Sequence, residues 1–225
     1  MKIKQLVALT LTVILVLPLA YVAANWQWSR HLERETRNSQ IVNNSAKTMT
    51  LDELLTKSDI SPLQYTQIQV SGDVIDESQR FWRRQILNGQ PGFVALVRVS
   101  TDSGEVAVAR GWVAAAGSIP DPKLILDAPD VLNNVTTRVR LAPSAEADPS
   151  DLPIGQTNSV GTMTDELFYL EVIQSDAPLL SIPAPEIESG PHLGYVGQWI
   201  LIGITAVVAY IVILRRSYAS DTKSA

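Results

Sequence analysis

Two long apolar runs stand near the two ends of the chain, from Leu6 to Ala24 and from Tyr195 to Leu214. The second run holds 20 residues without a single Asp, Glu, Lys, Arg or His. At ~1.5 Å per residue, a helix of that length spans about 30 Å, the thickness of the hydrocarbon core of a bilayer. Arg215 and Arg216 follow the run directly, so the positive-inside rule predicts that this end lies in the cytoplasm.

The first run is open to two interpretations. Lys2 and Lys4 precede it and the small residues of Val22-Ala23-Ala24 end it, which is typical of a cleaved signal peptide. The 19 residues also suffice for a retained membrane anchor. Signal-peptide cores usually hold only about 7–15 residues, so length favours the anchor. Both interpretations place Asn25 onward outside the cytoplasm, although nearby arginines leave the charge bias of this run ambiguous: Arg30, Arg34 and Arg37.

The polar stretch after the first run predicts helix at first and then little regular structure. Trp26 and Trp28 fit an interfacial belt, and Glu33 and Arg37 have the i,i+4 spacing of a helix surface pair. We therefore expect helix to about Asn38. A second, short helix is predicted near 50–57, where Thr50 and Glu53 form a capping box.

The middle of the chain alternates between apolar and polar residues over short runs, which is typical of β-strands. Asp102-Ser103-Gly104 gives the clearest hairpin signal, Asn88 to Gly92 is predicted to be a turn or loop, and Ser71-Gly72-Asp73 interrupts the first run. The prolines of Ala177 to Pro191 predict an extended segment that is poor at joining a sheet. The predicted strands are Tyr65–Val70, Arg80–Leu87, Phe93–Thr101, Glu105–Val113, Val135–Leu141, Val160–Met163 and Leu167–Ile173.

About seven short strands within about 110 residues favour a small barrel or sandwich over a βαβ fold. The predicted protein is thus a membrane protein with two transmembrane helices flanking a mainly β, α+β extracytoplasmic domain. The predicted segments are an N-terminal transmembrane helix at 1–24, the β domain at 25–190, a C-terminal transmembrane helix at 191–216 and a cytoplasmic tail at 217–225.

Composition and charge remove several classes of function. The chain has no cysteine, which excludes disulfides, iron–sulfur clusters and thiolate zinc sites, and it has only two histidines, His31 and His192. Between the basic ends, the chain carries 13 basic and 22 acidic residues, and this acidic middle argues against nucleic acid as a partner. Neither a phosphate-binding glycine loop nor a Gly-x-Ser-x-Gly elbow is present, so we expect no enzymatic activity.

His192 is the residue with the clearest potential for inorganic chemistry. On a helix, His192, Tyr195, Val196 and Trp199 share one side at the outer end of the second apolar run. A neutral imidazole can bind haem iron, and aromatic side chains can flank a porphyrin. The simpler interpretation is a histidine at a helix start that faces lipid headgroups. His31 lies near the same predicted membrane face, so a site that uses both histidines is a further alternative.

Arg110 and Trp112 form a second candidate pair. They share one face of a predicted strand, where the arginine could hold an anion or stack on the indole. The simpler interpretation is an arginine at a strand end that lies over the tryptophan.

Three separated stretches together resemble the Surfeit locus protein family of cytochrome c oxidase assembly factors. They are Trp26-Gln27-Trp28-Ser29-Arg30, Arg110-Gly111-Trp112-Val113 and the stretch from His192 through Gln198 to Trp199. Val70 to Asp73 and Pro91-Gly92-Phe93 also resemble that family, and Pro185 to His192 resembles its actinobacterial branch. Two departures are Ala23-Ala24-Asn25, where the family more often has leucine and glycine, and a missing glycine in Val135–Leu141.

The resemblance implies a multi-pass protein of the cell membrane with both apolar segments retained and both termini in the cytoplasm. It implies a role in building cytochrome c oxidase, with oxidase subunits, haem-supplying enzymes and the lipid bilayer as partners. His192 matches the family's proposed haem ligand, with Tyr195 and Trp199 beside it, so haem a is the implied cofactor. The alternative is a cofactor-free membrane chaperone that stabilises oxidase subunits, and a third hypothesis, an enzyme that oxidises haem, has no acid–base pair to support it.

Overall fold

The computed structural model describes residues 3–75, 78–121, 127–143, 152, 155–163 and 167–221, with backbone only for 218–221. The chain divides into two compact units. The first unit comprises Met1–Ser39 with Ile187–Ala225, and the second comprises Gln40–Glu186. The predicted segment boundaries at residues 24, 190 and 216 stay predictions.

Two helices, α1 (Ile3–Ser45) and α3 (His192–Asp221), supply most of the described residues of the first unit, and the last turns of α1 belong to the second unit. Both are long and apolar enough to cross a membrane, and their apolar parts are almost wholly exposed, with 6% and 0% of residues buried. A core helix of a soluble domain would be covered by its neighbours instead. The two long apolar helices near the chain ends are confirmed and fit a membrane protein, and their insertion into a membrane stays a prediction.

The apolar parts of α1 and α3 pack against each other. The Thr10 hydroxyl lies 3.0 Å from the Tyr210 hydroxyl. Further along, a Cβ on Gly203 would lie 3.7 Å from Leu17 and 3.9 Å from Ala20, which is ordinary van der Waals contact. These contacts join the apolar parts of the two helices, while most of the surface of both helices stays exposed.

The helix α1 ends at Ser45, beyond the predicted end near Asn38. Its last turns belong to the second unit and are held by contacts with residues of that unit that are distant in sequence. Asn44 Nδ2 donates to the carbonyls of Pro62 at 2.7 Å and Gln64 at 2.9 Å, and Ile41 is buried. Local sequence pattern could not predict this extension, because the stabilising contacts are tertiary.

The short helix α2 (Leu51–Leu55) confirms the predicted capping box. Thr50 Oγ1 accepts from the Glu53 backbone N–H at 3.2 Å, and Glu53 Oε2 accepts from the Thr50 N–H at 3.2 Å. Leu51 and Leu54 are buried and attach the helix to the sheet.

The second unit is built mainly on β-strands. The strands are β1 (Thr48–Met49), β2 (Gln67–Val74), β3 (Arg80–Leu87), β4 (Gln90–Thr101), β5 (Gly104–Ala116), β6 (Ile119–Pro120), β7 (Val131–Leu141), β8 (Gln156–Thr157) and β9 (Phe168–Val172). Two 3-10 helices, Ser61–Leu63 and Val160–Thr162, complete the described elements. This mixed β-sheet domain confirms the mainly β prediction.

The strand order is β1-β2-β7-β9-β5-β4-β3-β8, and β6 pairs with β5. Three contacts are parallel (β1–β2, β3–β8 and β5–β9), and the others are antiparallel. One end of β2 also pairs with β4, through Asp73↔Ser100 and Val74↔Val99. The pairings of β2, β7, β9, β5 and β4 therefore form a closed circuit.

The two central hairpins follow from their turn residues. Asp102 and Ser103 join β4 to β5 in the predicted place, with Thr101 opposite Gly104. Asn88 and Gly89 join β3 to β4, and both have positive φ (51° and 76°), as a two-residue hairpin turn of the primed type requires. The predicted loop to Gly92 was too long, since Gln90, Pro91 and Gly92 belong to β4.

Two further predictions from local pattern were wrong. Val160–Thr162 forms a 3-10 helix, capped by Ser159 Oγ accepting from the Gly161 N–H at 3.1 Å. β2 continues through Ser71-Gly72-Asp73, with a register shift between Val70 and Gly72. The proline-rich segment touches the sheet at one isolated bridge, in which the backbones of Leu180 and Trp112 exchange hydrogen bonds of 2.8 Å.

Buried apolar side chains form three clusters among the described residues. The first contains residues of β2, β4, β5, β7 and β9, including Ile68, Val97, Val108, Val139 and Leu170. The second contains Val94, Leu96, Trp112, Val160 and Tyr169, among others, and the third contains Phe93, Ala95, Val113 and Leu179. β4 contributes to all three, as expected for its continuous apolar sequence from Phe93 to Val97.

A buried ion pair ties the sheet to the proline-rich segment. Arg138 and Glu171 form a salt bridge with side chains 8% and 4% exposed, and Arg138 Nη2 also donates to the carbonyls of Ile182 at 3.0 Å and Pro183 at 2.9 Å. Alternation had placed Arg138 on the polar face of its strand. It is buried because Glu171 and these carbonyls satisfy its donors.

Gly72 lies where β2 meets β4, and a Cβ there would come within 2.2 Å of the Ser100 carbonyl oxygen. We predict that Gly72→Ala lowers the free energy of unfolding by about 1–3 kcal/mol, because backbone atoms must move to admit the methyl group. Thermal and urea unfolding of the full chain in detergent, followed by tryptophan fluorescence, measures this change.

Gln69→Ala is the matched control, because Gln69 is an exposed residue of the same strand. It should change the free energy of unfolding by no more than about 0.5 kcal/mol. Equal stability of Gly72→Ala and Gln69→Ala would contradict the close approach of β2 to β4.

Candidate functional site

His192 is the first residue of α3, as the sequence predicted, and its side chain is partly buried. Pro191 precedes it, and the Pro191 carbonyl accepts from the Tyr195 N–H at 3.2 Å to close the first turn. Proline at a helix start loses no hydrogen bond, because the first N–H groups of a helix have no partner within it. The imidazole is therefore attached where the helix begins.

Gln27 of α1 orients the His192 ring. Its side-chain Oε1 lies 2.8 Å from His192 Nδ1. An amide oxygen only accepts, so Nδ1 must carry the proton and donate it. When the ring is neutral, Nε2 is then the unprotonated nitrogen, which is the form that binds a metal. Metal-binding histidines commonly donate their other N–H to an oxygen acceptor in this way.

One face of α1 makes hydrogen bonds to the residues just before His192 in the sequence. Glu35 Oε1 accepts from the Ser189 hydroxyl at 3.0 Å, and Asn38 Nδ2 donates to the Glu188 carbonyl at 3.2 Å. Gln27, Glu35 and Asn38 lie on one face of the helix because their spacings are close to whole turns. We call these three contacts, with partners His192, Ser189 and Glu188, the polar strip.

Gly190 lies within the polar strip and brings a third side chain to His192. Its φ is +64°, which a residue with a side chain rarely adopts. A Cβ on Gly190 would lie 3.2 Å from Arg34 Nη1, 3.3 Å from Arg34 Cζ and 3.3 Å from His192 Cδ2. The guanidinium of Arg34 and the ring of His192 are therefore neighbours across the space that glycine leaves empty.

His31, the second histidine, lies one helical turn from Gln27. Its ring is 5.6 Å from the Trp28 ring between centroids. Its Nδ1 is buried and has no hydrogen-bond partner among the described residues. No described contact joins His31 to His192, so a bis-histidine site stays a prediction.

The other residues of the Trp26–Arg30 and His192–Trp199 stretches make contacts of their own. Tyr195 is 46% exposed, Trp199 is partly buried and Gln198 is exposed, all on α3. On α1, the guanidinium of Arg30 lies 5.9 Å over the Trp26 ring and pairs with Glu33 at 2.7 Å. The expected surface pair of Glu33 and Arg37 is thus replaced by Arg30 and Glu33. No described contact links Tyr195, Trp199, Gln198, Trp26 or Arg30 to the His192 ring.

The residues at His192 fit a haem ligand by their donor chemistry. An imidazole whose Nδ1–H is held by an amide oxygen presents Nε2 as a neutral donor, which is the usual axial ligand of haem iron. Tyr195 and Trp199 are apolar ring systems on the same side of α3. Among the described residues, no group of three His, Asp or Glu side chains could hold a free metal ion, so a single histidine favours a metal that brings its own ligands.

The Arg110-Gly111-Trp112 motif lies on β5 in the second unit. Arg110 Nη1 donates to Gln79 Oε1 at 2.9 Å, and burial lowers the pKa of Arg110, an effect that the charge of Asp176 opposes. Gly111 has φ +155°, and a Cβ there would come within 2.5 Å of Ser175 Oγ. Trp112 is buried, so Arg110 does not lie over its ring as the sequence suggested; the two side chains have different partners.

A cavity of ≈ 610 Å³ opens beside Arg110. Its walls are mostly polar, with Gln67, Asn133, Thr136 and Asp176 among the lining residues. The structure therefore places Arg110 at a polar opening of the β domain, where a guanidinium could meet an anion or a peptide carbonyl.

Sequence reasoning missed two features of these sites. Arg34 and Glu35 were interpreted only as surface charges of a helix, because the facing segment could not be located without the structure. A usable signal existed in the spacing, since Gln27, Arg34 and Asn38 recur at i, i+7 and i+11 on one helix face. The buried cluster around Arg138 was also missed. There, burial together with the charge of Glu171 raises the pKa of Tyr169.

Comparison with known proteins places these features in a family context. A family profile described as "SURF1 family" matches residues 14–204. Similar relatives include uncharacterised SURF1-like proteins of Mycobacterium bovis and of Mycobacterium tuberculosis. Each is 27% identical over 206 residues, covering 83% of this chain and 74% of the relative. The match spans α1, the β domain and the first half of α3.

Replacing Gln27 should change the tautomer of His192. We predict that Gln27→Leu lowers the fraction of the Nδ1-protonated tautomer at pH 8, because the hydrogen bond that selects it is lost. The ¹⁵N chemical shifts of ¹⁵N-histidine-labelled protein in detergent report this fraction. With only two histidines in the chain, His31→Gln assigns the signals.

Gln198→Leu removes an exposed amide of α3 and serves as the control, since it should leave the His192 shifts unchanged. Identical histidine shifts in wild-type protein and Gln27→Leu would show that the 2.8 Å contact does not orient the ring.

Proposed function

The chain belongs to the SURF1 family, known generally for oxidase assembly factors, and from that premise we propose that it assembles cytochrome c oxidase by helping to deliver haem a to the catalytic subunit. The family is one of assembly factors rather than enzymes. The observation that supports haem delivery is the His192 side chain at the start of α3, with Nδ1 held by Gln27 at 2.8 Å.

In this proposal haem a is cargo. His192 would bind its iron through Nε2, Gln27 would keep the ring in the tautomer that can bind, and Tyr195 and Trp199 would offer ring surface to the porphyrin. A ligand at the start of a membrane helix suits an apolar cargo, because the site opens where lipid and water meet. A single protein ligand also suits a molecule that must later be released.

We further propose that the protein resides in the cell membrane with α1 and α3 spanning it and both termini in the cytoplasm. Lys2, Lys4, Arg215 and Arg216 would then lie on the cytoplasmic side, as the positive-inside rule requires. The β domain, which we interpret as a small barrel because its strand pairings form a circuit, would lie outside. Its partners would be oxidase subunits and haem-supplying enzymes.

A cofactor-free chaperone that stabilises oxidase subunits is the second candidate. One observation favours it: the cavities of ≈ 620 and ≈ 610 Å³ are both lined by residues of the β domain and not by His192.

Loss of the imidazole should remove bound haem. We predict that His192→Ala, purified from cells that make haem a, carries at most about one tenth of the haem of the wild-type protein. Even the loss of a residue that hydrogen-bonds to a metal ligand typically lowers affinity about 10–100-fold, and this variant loses the ligand itself. The absorption spectrum of the purified protein measures haem content. His31→Ala, the other histidine, should retain wild-type haem content.

A deletion strain separates the two candidates. If the strain makes oxidase with a normal haem a spectrum, both assembly proposals are wrong. If His192→Ala restores normal oxidase and the wild-type protein never carries haem, the chaperone replaces haem delivery as the function.

The proposed topology makes its own prediction. Green fluorescent protein fused after Ala225 should fluoresce, and alkaline phosphatase fused there should be inactive, because both report the cytoplasm in that way. The same two reporters inserted between Asp102 and Ser103, in an exposed hairpin turn, should give the opposite pattern. An active phosphatase after Ala225 would contradict the orientation.

A further inference from the structure

Arg34 lies on the side of the His192 ring that faces away from Gln27. Gln27 contacts Nδ1, whereas the atom next to the space left by Gly190 is Cδ2. In imidazole, Cδ2 is bonded to Nε2. The guanidinium of Arg34 is therefore close to the nitrogen that is available for a ligand, across a position where Gly190 carries no side chain.

The charge of Arg34 is not neutralised by a described neighbour. Arg30 pairs with Glu33, and the nearest carboxylate in sequence, Glu35, accepts from Ser189. Within the described part of the chain, no carboxylate or carbonyl oxygen accepts a hydrogen bond from Arg34. A guanidinium offers five N–H donors in a fork that matches a carboxylate.

The arrangement would disfavour a bare metal cation at Nε2, because a positive charge already lies beside it. It would favour a ligand that brings negative charge together with its metal. A metalloporphyrin with carboxylate side chains has both properties.

We propose that Arg34 is a specificity-determining residue that pairs with a carboxylate of the porphyrin bound at His192. This inference rests on the proposed function, since it needs a porphyrin at His192. Gly190 contributes by leaving room between the guanidinium and the ring, and the polar strip contributes by holding Gly190 and His192 against α1.

The test compares two porphyrins whose two carboxyl groups are free in one and methylated in the other. Iron protoporphyrin IX and its dimethyl ester are titrated into the full chain in phosphatidylcholine nanodiscs, with binding followed by the shift of the Soret band. Wild-type protein should bind the free acid about three- to tenfold more tightly than the ester, the range expected for a partly exposed charge-assisted hydrogen bond.

Arg34→Gln should bind both porphyrins equally, and Arg34→Lys should keep part of the preference because the charge is retained. Arg37→Gln is the matched control, since Arg37 is an arginine of the same helix that has no described contact with Gly190; it should keep the full preference. His192→Ala should weaken both porphyrins together.

The outcomes separate the inference from the function it rests on. If wild-type protein binds neither porphyrin, or His192→Ala binds both as well as wild type, haem binding at His192 fails and the inference fails with it. If wild-type protein binds both equally, or Arg34→Gln keeps the preference, only the role of Arg34 is overturned.

A lipid phosphate has the same charge as the proposed carboxylate and is tested separately. Nanodiscs that contain phosphatidylglycerol should leave the wild-type preference for the free acid in place. Loss of the preference in wild-type protein with this lipid would assign Arg34 to a headgroup and overturn the proposal.

Discussion

The antiparallel packing of α1 against α3 is the constraint on which the histidine site depends. Three contacts fix the register of the two helices: Thr10 with Tyr210, Leu17 and Ala20 with Gly203, and Gln27 with His192. From the first contact to the last, α1 advances by 17 residues and α3 by 18, and both distances are about 25 Å at ~1.5 Å per residue. Gln27 reaches His192 because the contacts of Thr10, Leu17 and Ala20 with α3 set the register of the two helices. A slip of one helix by a single residue would rotate Gln27 by about 100° away from the ring.

The motif glycines of the β domain mark close approaches rather than flexible joints. A Cβ on Gly92 would come within 2.3 Å of the Trp112 indole, so the Pro91-Gly92-Phe93 and Arg110-Gly111-Trp112 stretches are in direct contact. Gly72 allows β2 to reach β4, and Gly111 allows the segment with Ser175 to lie on β5. The buried Arg138 then holds the chain at Ile182 and Pro183. These motif glycines therefore have a packing role, and they carry no chemistry of their own.

The features that the sequence predicted correctly are those stabilised by interactions between residues close in sequence. The capping box of Thr50 and Glu53, the turn at Asp102-Ser103 and the two apolar helices depend on residues close in sequence, and the structure has them all. The end of α1 and the burial of Arg138 depend on partners far away along the chain. The position of His192 was predicted from its place before an apolar run, but its contact with Gln27 spans 165 residues. No local pattern contains that information.

The same contacts bear on whether the first apolar run is an anchor or a cleaved signal peptide. Cleavage after Ala24 would remove Thr10, Leu17 and Ala20, which are the residues that set the register with α3. Gln27 would remain, and the polar strip alone would then join it to the start of α3. The contacts of Thr10, Leu17 and Ala20 and the hydrogen bond from His192 to Gln27 are thus all present together only in a chain that keeps the whole of α1.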